Sequence, residues 1–150
     1  MPNNDSIIEF LLSPGIKEKV LDDTDLIKAE KGLFELSPKS KYLGLYKEDE
    51  LVGVIKHEYL TSVSLLIHPY LKPRYLREWL RKDSQIKTDK WFIENRRVHK
   101  LIVASPGCCE SVIQLAHYVG YNFEGILVGA ELWRNKIEDL VFLSRFISGE

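Results

Sequence analysis

Two histidines and a glutamate, His57, Glu58 and His68, flank a short polar break at Thr61-Ser62. If the apolar runs on either side of that break pair as a hairpin, the two imidazoles come nearly opposite each other beside a carboxylate. Such a group can supply a general base near neutral pH. The plainer reading is two half-exposed strand histidines with no chemical task. Downstream, Lys72, Arg74, Arg77 and Arg81 gather where an apolar strand runs into a helix. Cations so placed can hold phosphate oxygens. They can equally be one solvated helix face, to which Glu78 and Asp83 also belong. Cys108 and Cys109 are adjacent, and a helix start can lower a thiol pKa. No dedicated histidine and acid accompany them, so they read as inert reduced thiols of a cytosolic protein, too close together to bridge without strain. Tyr118 and Tyr121 are the nearest candidates for a phenolic acid. His57, His68, His99 and His117 show no metal-ligand spacing.

These residues must be positioned by elements that the periodicity outlines. Ser6 followed by Glu9 fits a capping box for a first helix carrying Ile7, Phe10 and Leu11 on one side. Ser13-Pro14-Gly15 breaks it and can start a second helix, "GIKEKVLDD"; residues 22–40 read as a surface loop. "KYLGLYKEDELVGVIKHEYL" gives two strands around the charged turn Lys47-Glu48-Asp49-Glu50, and "VSLLIHPYL" a third in an antiparallel meander. From about Arg74 the period becomes helical through Leu76, Trp79, Leu80 and Ile86 toward Asn95, with Asp83-Ser84 or Thr88-Asp89 as candidate interruptions. "HKLIVASP" is a buried strand, "CESVIQLAHYVG" a short helix stopped by Gly120, and "GILVGAELWRN" and "EDLVFLSRF" close the chain as two strands. The order ααβββαβαββ is an α+β domain with a mixed sheet, parallel where a helix connects strands. The strands 63–71 and 100–104 are expected to be such a parallel pair, splayed at their C-terminal ends.

The bulk numbers set outer bounds. The 150 residues are 45% apolar and 29% charged, enough for one soluble domain with a real core. With 21 Lys and Arg against 22 Asp and Glu, the net charge of -1 gives no general attraction to nucleic acid or acidic lipid. The first residues, "MPNNDSIIEFLL", lack the basic start and apolar core of a signal peptide, and no apolar run reaches the ~20 residues of a membrane span.

From "HKLIVASPGCCESVIQLAHYVGYNFEGILVGAELWRNKIEDLVFLSRF" onward the chain resembles the C-terminal half of the GNAT (acyl-CoA N-acyltransferase) superfamily. A strand, a helix, the glycine-aromatic pair Gly120-Tyr121, Phe123-Glu124-Gly125 and a closing hairpin follow in that family's order. "YLGLYKEDELVGVIKHEYL" resembles its second and third strands, so the likeness covers roughly residues 40–146. The resemblance implies a GNAT-like α+β domain and, in an active member, acetyl-CoA held at the segment containing Ile67, Lys72, Arg74, Tyr75 and Arg77. It also exposes a departure. Where the family carries glycines that let phosphate reach bare backbone, this chain has Tyr75 and Arg77, or Trp79 and Arg81, depending on whether Pro69 or Pro73 is the family's proline. Ala116 stands where many members carry a tyrosine. "LSPGIKEKVLDD" and "YLGLYKEDELVGVIKH" are similar to phage-encoded GNAT-like proteins, some of them head-assembly proteins of short-tailed phages.

Two functions follow as expectations. One is a GNAT-fold module with a degenerate active site that binds no cofactor and serves virion assembly. Its partners would be phage assembly or ejection proteins, met in the host cytoplasm or the virion, and neither nucleic acid nor membrane. The other is a working acetyltransferase that grips acetyl-CoA weakly through Lys72, Arg74 and Arg77, with His57, Glu58 or His68 as base.

Overall fold

The computed structural model describes residues 3–14, 16, 25, 28–29, 31–32, 36 and 38–148. The second helix and most of the loop expected before residue 38 lie outside them. Helix α1 spans Asn4–Leu11 and buries Ile7, Phe10 and Leu11. Its cap is Asn3, whose side chain accepts from the Ser6 N–H at 2.8 Å. The expected Ser6 cap therefore moves three residues upstream, to a side chain that satisfies an orphan first-turn donor.

Six strands form one mixed sheet in the order β1-β2-β3-β4-β6-β5. Strands β1 (Lys41–Lys47), β2 (Glu50–Thr61) and β3 (Ser64–Leu71) make the antiparallel meander. Its first turn is only Glu48-Asp49, both at positive φ, the geometry a two-residue hairpin demands. Gly53 in β2 is required by packing: a Cβ there would come 2.7 Å from Leu71 Cδ2 and 3.2 Å from the Tyr70 carbonyl. Strand β4 (Lys100–Pro106) lies parallel to β3, while β5 (Asn122–Trp133) and β6 (Lys136–Phe146) add antiparallel beyond it.

The β3–β4 pair has the expected form. Only Ser64–Leu66 pair with Lys100–Ile102; thereafter the strands part and leave a V-shaped cleft. Beyond Leu66, β3 has a side that no strand of the sheet occupies, which explains how Pro69 is accommodated in an otherwise central strand.

The segment joining β3 to β4 departs from one continuous helix. It is a 3₁₀ turn, Pro73–Tyr75, then a four-residue helix α2 (Leu76–Trp79), then a break, then α3 (Lys82–Arg96). The break falls at Leu80-Arg81, not at Asp83-Ser84 or Thr88-Asp89, because Arg81 is extended. Ser84 Oγ donates to the Glu78 carbonyl and Gln85 Nε2 to the Trp79 carbonyl, so two backbone acceptors at the break find side-chain donors. Helix α4 (Glu110–Tyr118) ends at Gly120, at φ +95°, with the Tyr121 N–H returning to the Ala116 carbonyl.

The two sheet faces carry separate cores. On one, Ile55, Leu65, Ile67, Leu101, Val141 and Leu143 pack with Phe92 of α3 and with Ile113, Ala116 and Val119 around α4. On the other, Val54 and Tyr42 pack with α1. Trp79, Trp91 and Tyr121 belong to the first core. No helix among the described residues is long and apolar enough to cross a membrane.

Candidate functional site

The cleft between β3 and β4, the β3–α2 turn and the facing surface of α4 border a concave region at which, of the candidate residues, Arg77, Arg81 and Tyr118 meet. The histidine pair does not assemble there. Thr61 pairs with Ser64, a register that would carry His57 to His68, but an irregularity between Tyr59 and Thr61 shifts it by one residue. His57 therefore sits opposite Ile67, and His68 opposite Lys56. A one-residue slip reverses the face, so the two imidazoles point to opposite sides of the sheet.

His57 is 0% exposed, edge-on to the rings of Trp91 and Phe92. Its Nδ1 donates to the Ile55 carbonyl at 3.2 Å, and Nε2 has no partner. Burial pushes its pKa down to about 4. A neutral imidazole sealed in the core is no base for an external substrate. Ile67, expected beside a cofactor, is a core side chain at 2% exposure. His68 lies on the opposite face, stacked at 6.4 Å on Tyr70. Burial, reinforced by Lys56, pushes it down to about 4 as well. Glu58 shares the His68 face by strand alternation and meets Ser40 Oγ at 3.5 Å.

The basic cluster divides in two. Lys72 Nζ and Arg74 Nη2 both reach Glu50 Oε1, at 3.0 and 2.6 Å, and the Tyr75 hydroxyl donates to Glu50 Oε2 at 3.1 Å. The Lys72 hydrogen bond is the first cause holding the Glu50 carboxyl below its ordinary pKa. Two of the four expected phosphate-binding cations thus turn toward the β1–β2 hairpin and, with Tyr75, hold one of the chain's own carboxylates. Arg77 turns the other way. With Arg81, Pro73, Leu76, Leu80 and Tyr118 it lines an open groove of about 510 Å³ between α2 and α4. Arg81 and Tyr118 stand out in the sequence, but nothing there joins them in this groove. Glu50 has the pattern of turn charge, and no local pattern marks a contact 24 residues away.

A phosphate-bearing cofactor at the β3–α2 turn would need backbone donors and a helix dipole aimed at it. The turn does not fit that need. Pro73 has no N–H, the Tyr75 N–H is spent on the Lys72 carbonyl, the Leu76 N–H on the Pro73 carbonyl, and α2 is a single turn. The longer helix begins only at Lys82.

The thiols are free; Cys108 is exposed and Cys109 half-buried. Burial is the first cause raising the Cys109 pKa, with Cys108 adding to it, the opposite of an activated nucleophile. Tyr121 is raised too, chiefly by burial. Among the described residues no three His, Cys, Asp or Glu side chains come together to hold a metal ion.

No protein-family model and no curated protein sequence matches the chain. Solved structures do. A point variant of the Vibrio cholerae spermidine N-acetyltransferase superposes with a TM-score of 0.63 at 12% identity, over 75% of this chain and 67% of that one. Another variant of that enzyme gives 0.62 at 11% identity, over 82% and 73%. A GNAT-family acetyltransferase from Bacillus anthracis gives 0.56 at 18% identity, over 73% and 66%. The chain has the GNAT fold. In this GNAT fold the glycine-free turn follows the stretch of β3 that has parted from β4, and its Pro73 also lines the groove beside α4.

Proposed function

We propose that this GNAT-fold chain has left acetyl-CoA-dependent catalysis and works as a protein-interaction module in virion head assembly. The observation that carries the reading is the convergence of Lys72, Arg74 and Tyr75 on Glu50, which commits two of the four expected phosphate-binding cations to an internal anion. The turn's spent backbone donors and the core position of His57 support it. The cleft then serves an extended peptide, added along the unpaired stretch of β3 or β4 with main-chain hydrogen bonds supplying affinity. The likeness of residues 12–23 and 42–57 to phage GNAT-like proteins supports a phage assembly or ejection protein as that partner, in the host cytoplasm or the virion.

Calorimetric titration with CoA tests the first half. Binding is expected to be absent or no tighter than roughly millimolar; an affinity near ~1 µM, about 4 kcal/mol stronger, would overturn it. For the second half, Ala104→Arg, in the stretch of β4 that β3 has left, is expected to abolish co-purification with head-assembly proteins. The exposed Lys82→Glu should keep it. Ile67→Arg is unsuitable, because it would place a charge in the core.

A second reading rests on the groove itself. Arg77 and Arg81 beside Leu76, Leu80 and Tyr118 offer cations next to apolar surface, the composition a phosphorylated carrier needs, and the structural neighbours are acetyltransferases. Acetyl transfer by the purified chain, lost in His68→Ala, would favour it over the assembly reading.

A further inference from the structure

Glu50, the first residue of β2, collects three side-chain donors at once: Lys72 Nζ, Arg74 Nη2 and the Tyr75 hydroxyl, all within 3.1 Å. The donors come from one short turn, and that turn is held without Glu50. The Lys72 N–H donates to the Val52 carbonyl, the Tyr75 N–H donates to the Lys72 carbonyl, and the ring of Pro73 fixes φ between them. Lys47 and Arg74 lie over the Tyr75 ring, 5.5 and 5.0 Å from its centre, and steady the aim of its hydroxyl. The carboxylate comes from a different element, the β1–β2 hairpin, and its side chain is 42% exposed. The charges do not balance. Lys72 and Arg74 bring two positive charges against the single negative charge of Glu50. The neighbouring Lys47–Glu78 pair, at 2.8 Å, is neutral by itself.

We infer that Lys72, Arg74 and Tyr75 form an anion receptor that Glu50 fills from within, and that its external ligand is a phosphate dianion. Charge selects the ligand. A dianion neutralises both cations, which one carboxylate does not. A phosphate also has an acceptor oxygen for each of the three donors, and hydrogen bonds between ionised partners are the strong ones. The receptor is built from side chains, so it has no need of the bare backbone donors that this turn lacks. Glu50 is then an autoinhibitory plug. The ligand enters only as the carboxylate leaves, and whatever draws the β1–β2 hairpin tip away from the turn opens the site. The plug rests on the same convergence as the assembly reading, yet the two fail separately. Tight CoA binding by the parent chain overturns that reading alone; free phosphate and a Glu50 variant decide the plug.

Calorimetric titration with inorganic phosphate, at a mildly alkaline pH where it is a dianion, is the test. The parent chain is expected to bind no tighter than about 10 mM, and Glu50→Ala at least about tenfold tighter. Arg74→Ala in the Glu50→Ala background should remove the gain. Acetate, a monoanion, should gain clearly less than phosphate. Circular dichroism checks that each variant is folded; if Glu50→Ala unfolds, Glu50→Gln, which keeps the size and drops the charge, is read by the same criteria. A folded Glu50 variant that binds phosphate no better than the parent overturns the plug. So does a gain that Arg74→Ala leaves intact. Equal gains for acetate and phosphate overturn the assignment to a dianion.

Discussion

Replacing Arg145 with alanine is expected to destabilise the fold by about 3–5 kcal/mol, the cost of stripping the partner from a buried charge. In a domain of this size that lowers the melting temperature by roughly 10 °C. Arg145 Nη2 meets Asp89 Oδ1 of α3 at 2.6 Å, with the two side chains only 15% and 18% exposed. Nη1 donates to the Val119 carbonyl at 2.7 Å, and the guanidinium lies 4.9 Å from the centre of the Tyr121 ring. One side chain of β6 thus ties α3 to the end of α4. Burial already raises the Asp89 pKa, and Arg145 opposes that rise. Without Arg145 the carboxyl rises further, so the folded variant takes up protons more readily than the unfolded chain. The penalty should be full at pH 7 and shrink as pH falls through the carboxyl range. Asp89→Asn in the Arg145→Ala background should recover part of the loss. Urea unfolding of the four members of this cycle measures it; additive penalties would show that the pair is not coupled.

His57 makes acid stability the second large effect. Its pKa is held near 4 in the fold, against about 6.5 when unfolded. A depressed histidine favours the unfolded state once that state takes up the proton. Its contribution is therefore unpenalised above pH 6.5 and lost progressively as pH falls toward 4. The loss reaches about 3 kcal/mol at most, at 1.36 kcal/mol per pH unit. His57→Leu keeps an apolar group among Trp91 and Phe92 and cannot titrate. Its unfolding free energy should fall less steeply between pH 6.5 and 4 than that of the parent chain, by the His57 share alone. His68 is depressed in the same direction and remains in both proteins. Parallel pH profiles for the two would remove His57 as the cause.

Alternating and helical periodicities made the sheet legible, including the parallel pair that a helical crossover forces. They were silent where a single residue decides. The irregularity near Leu60 leaves no mark in a strand of ordinary composition, yet it sends His57 into the core and His68 to the other face. The helix break at Arg81 depends on Ser84 and Gln85 reaching back to Glu78 and Trp79, and both residues also fit a helix interior. The Glu50 cluster and the Arg145–Asp89 pair join residues 24 and 56 positions apart. Charge pairing at such separations is set by packing, and no local pattern encodes it. The absence of glycine after β3 is visible in the sequence directly, and the proposal that the turn holds no cofactor phosphate starts from it.

The brevity of the β3–β4 contact has a consequence for how the chain acquires its shape. Strands β1 to β3 are joined by tight turns and can form from local encounters alone, and so can the β5–β6 hairpin. Uniting the two halves of the sheet needs closure of the whole segment from Leu71 to Lys100 for only three parallel residue pairs. That closure carries an entropic cost that few ladder bonds repay. What repays it is Phe92, fully buried beside Leu65 and Leu101 of the two parting strands. The late step in folding is then expected to be the seating of α3 on a sheet still in two pieces, with the parallel seam closing as that helix docks.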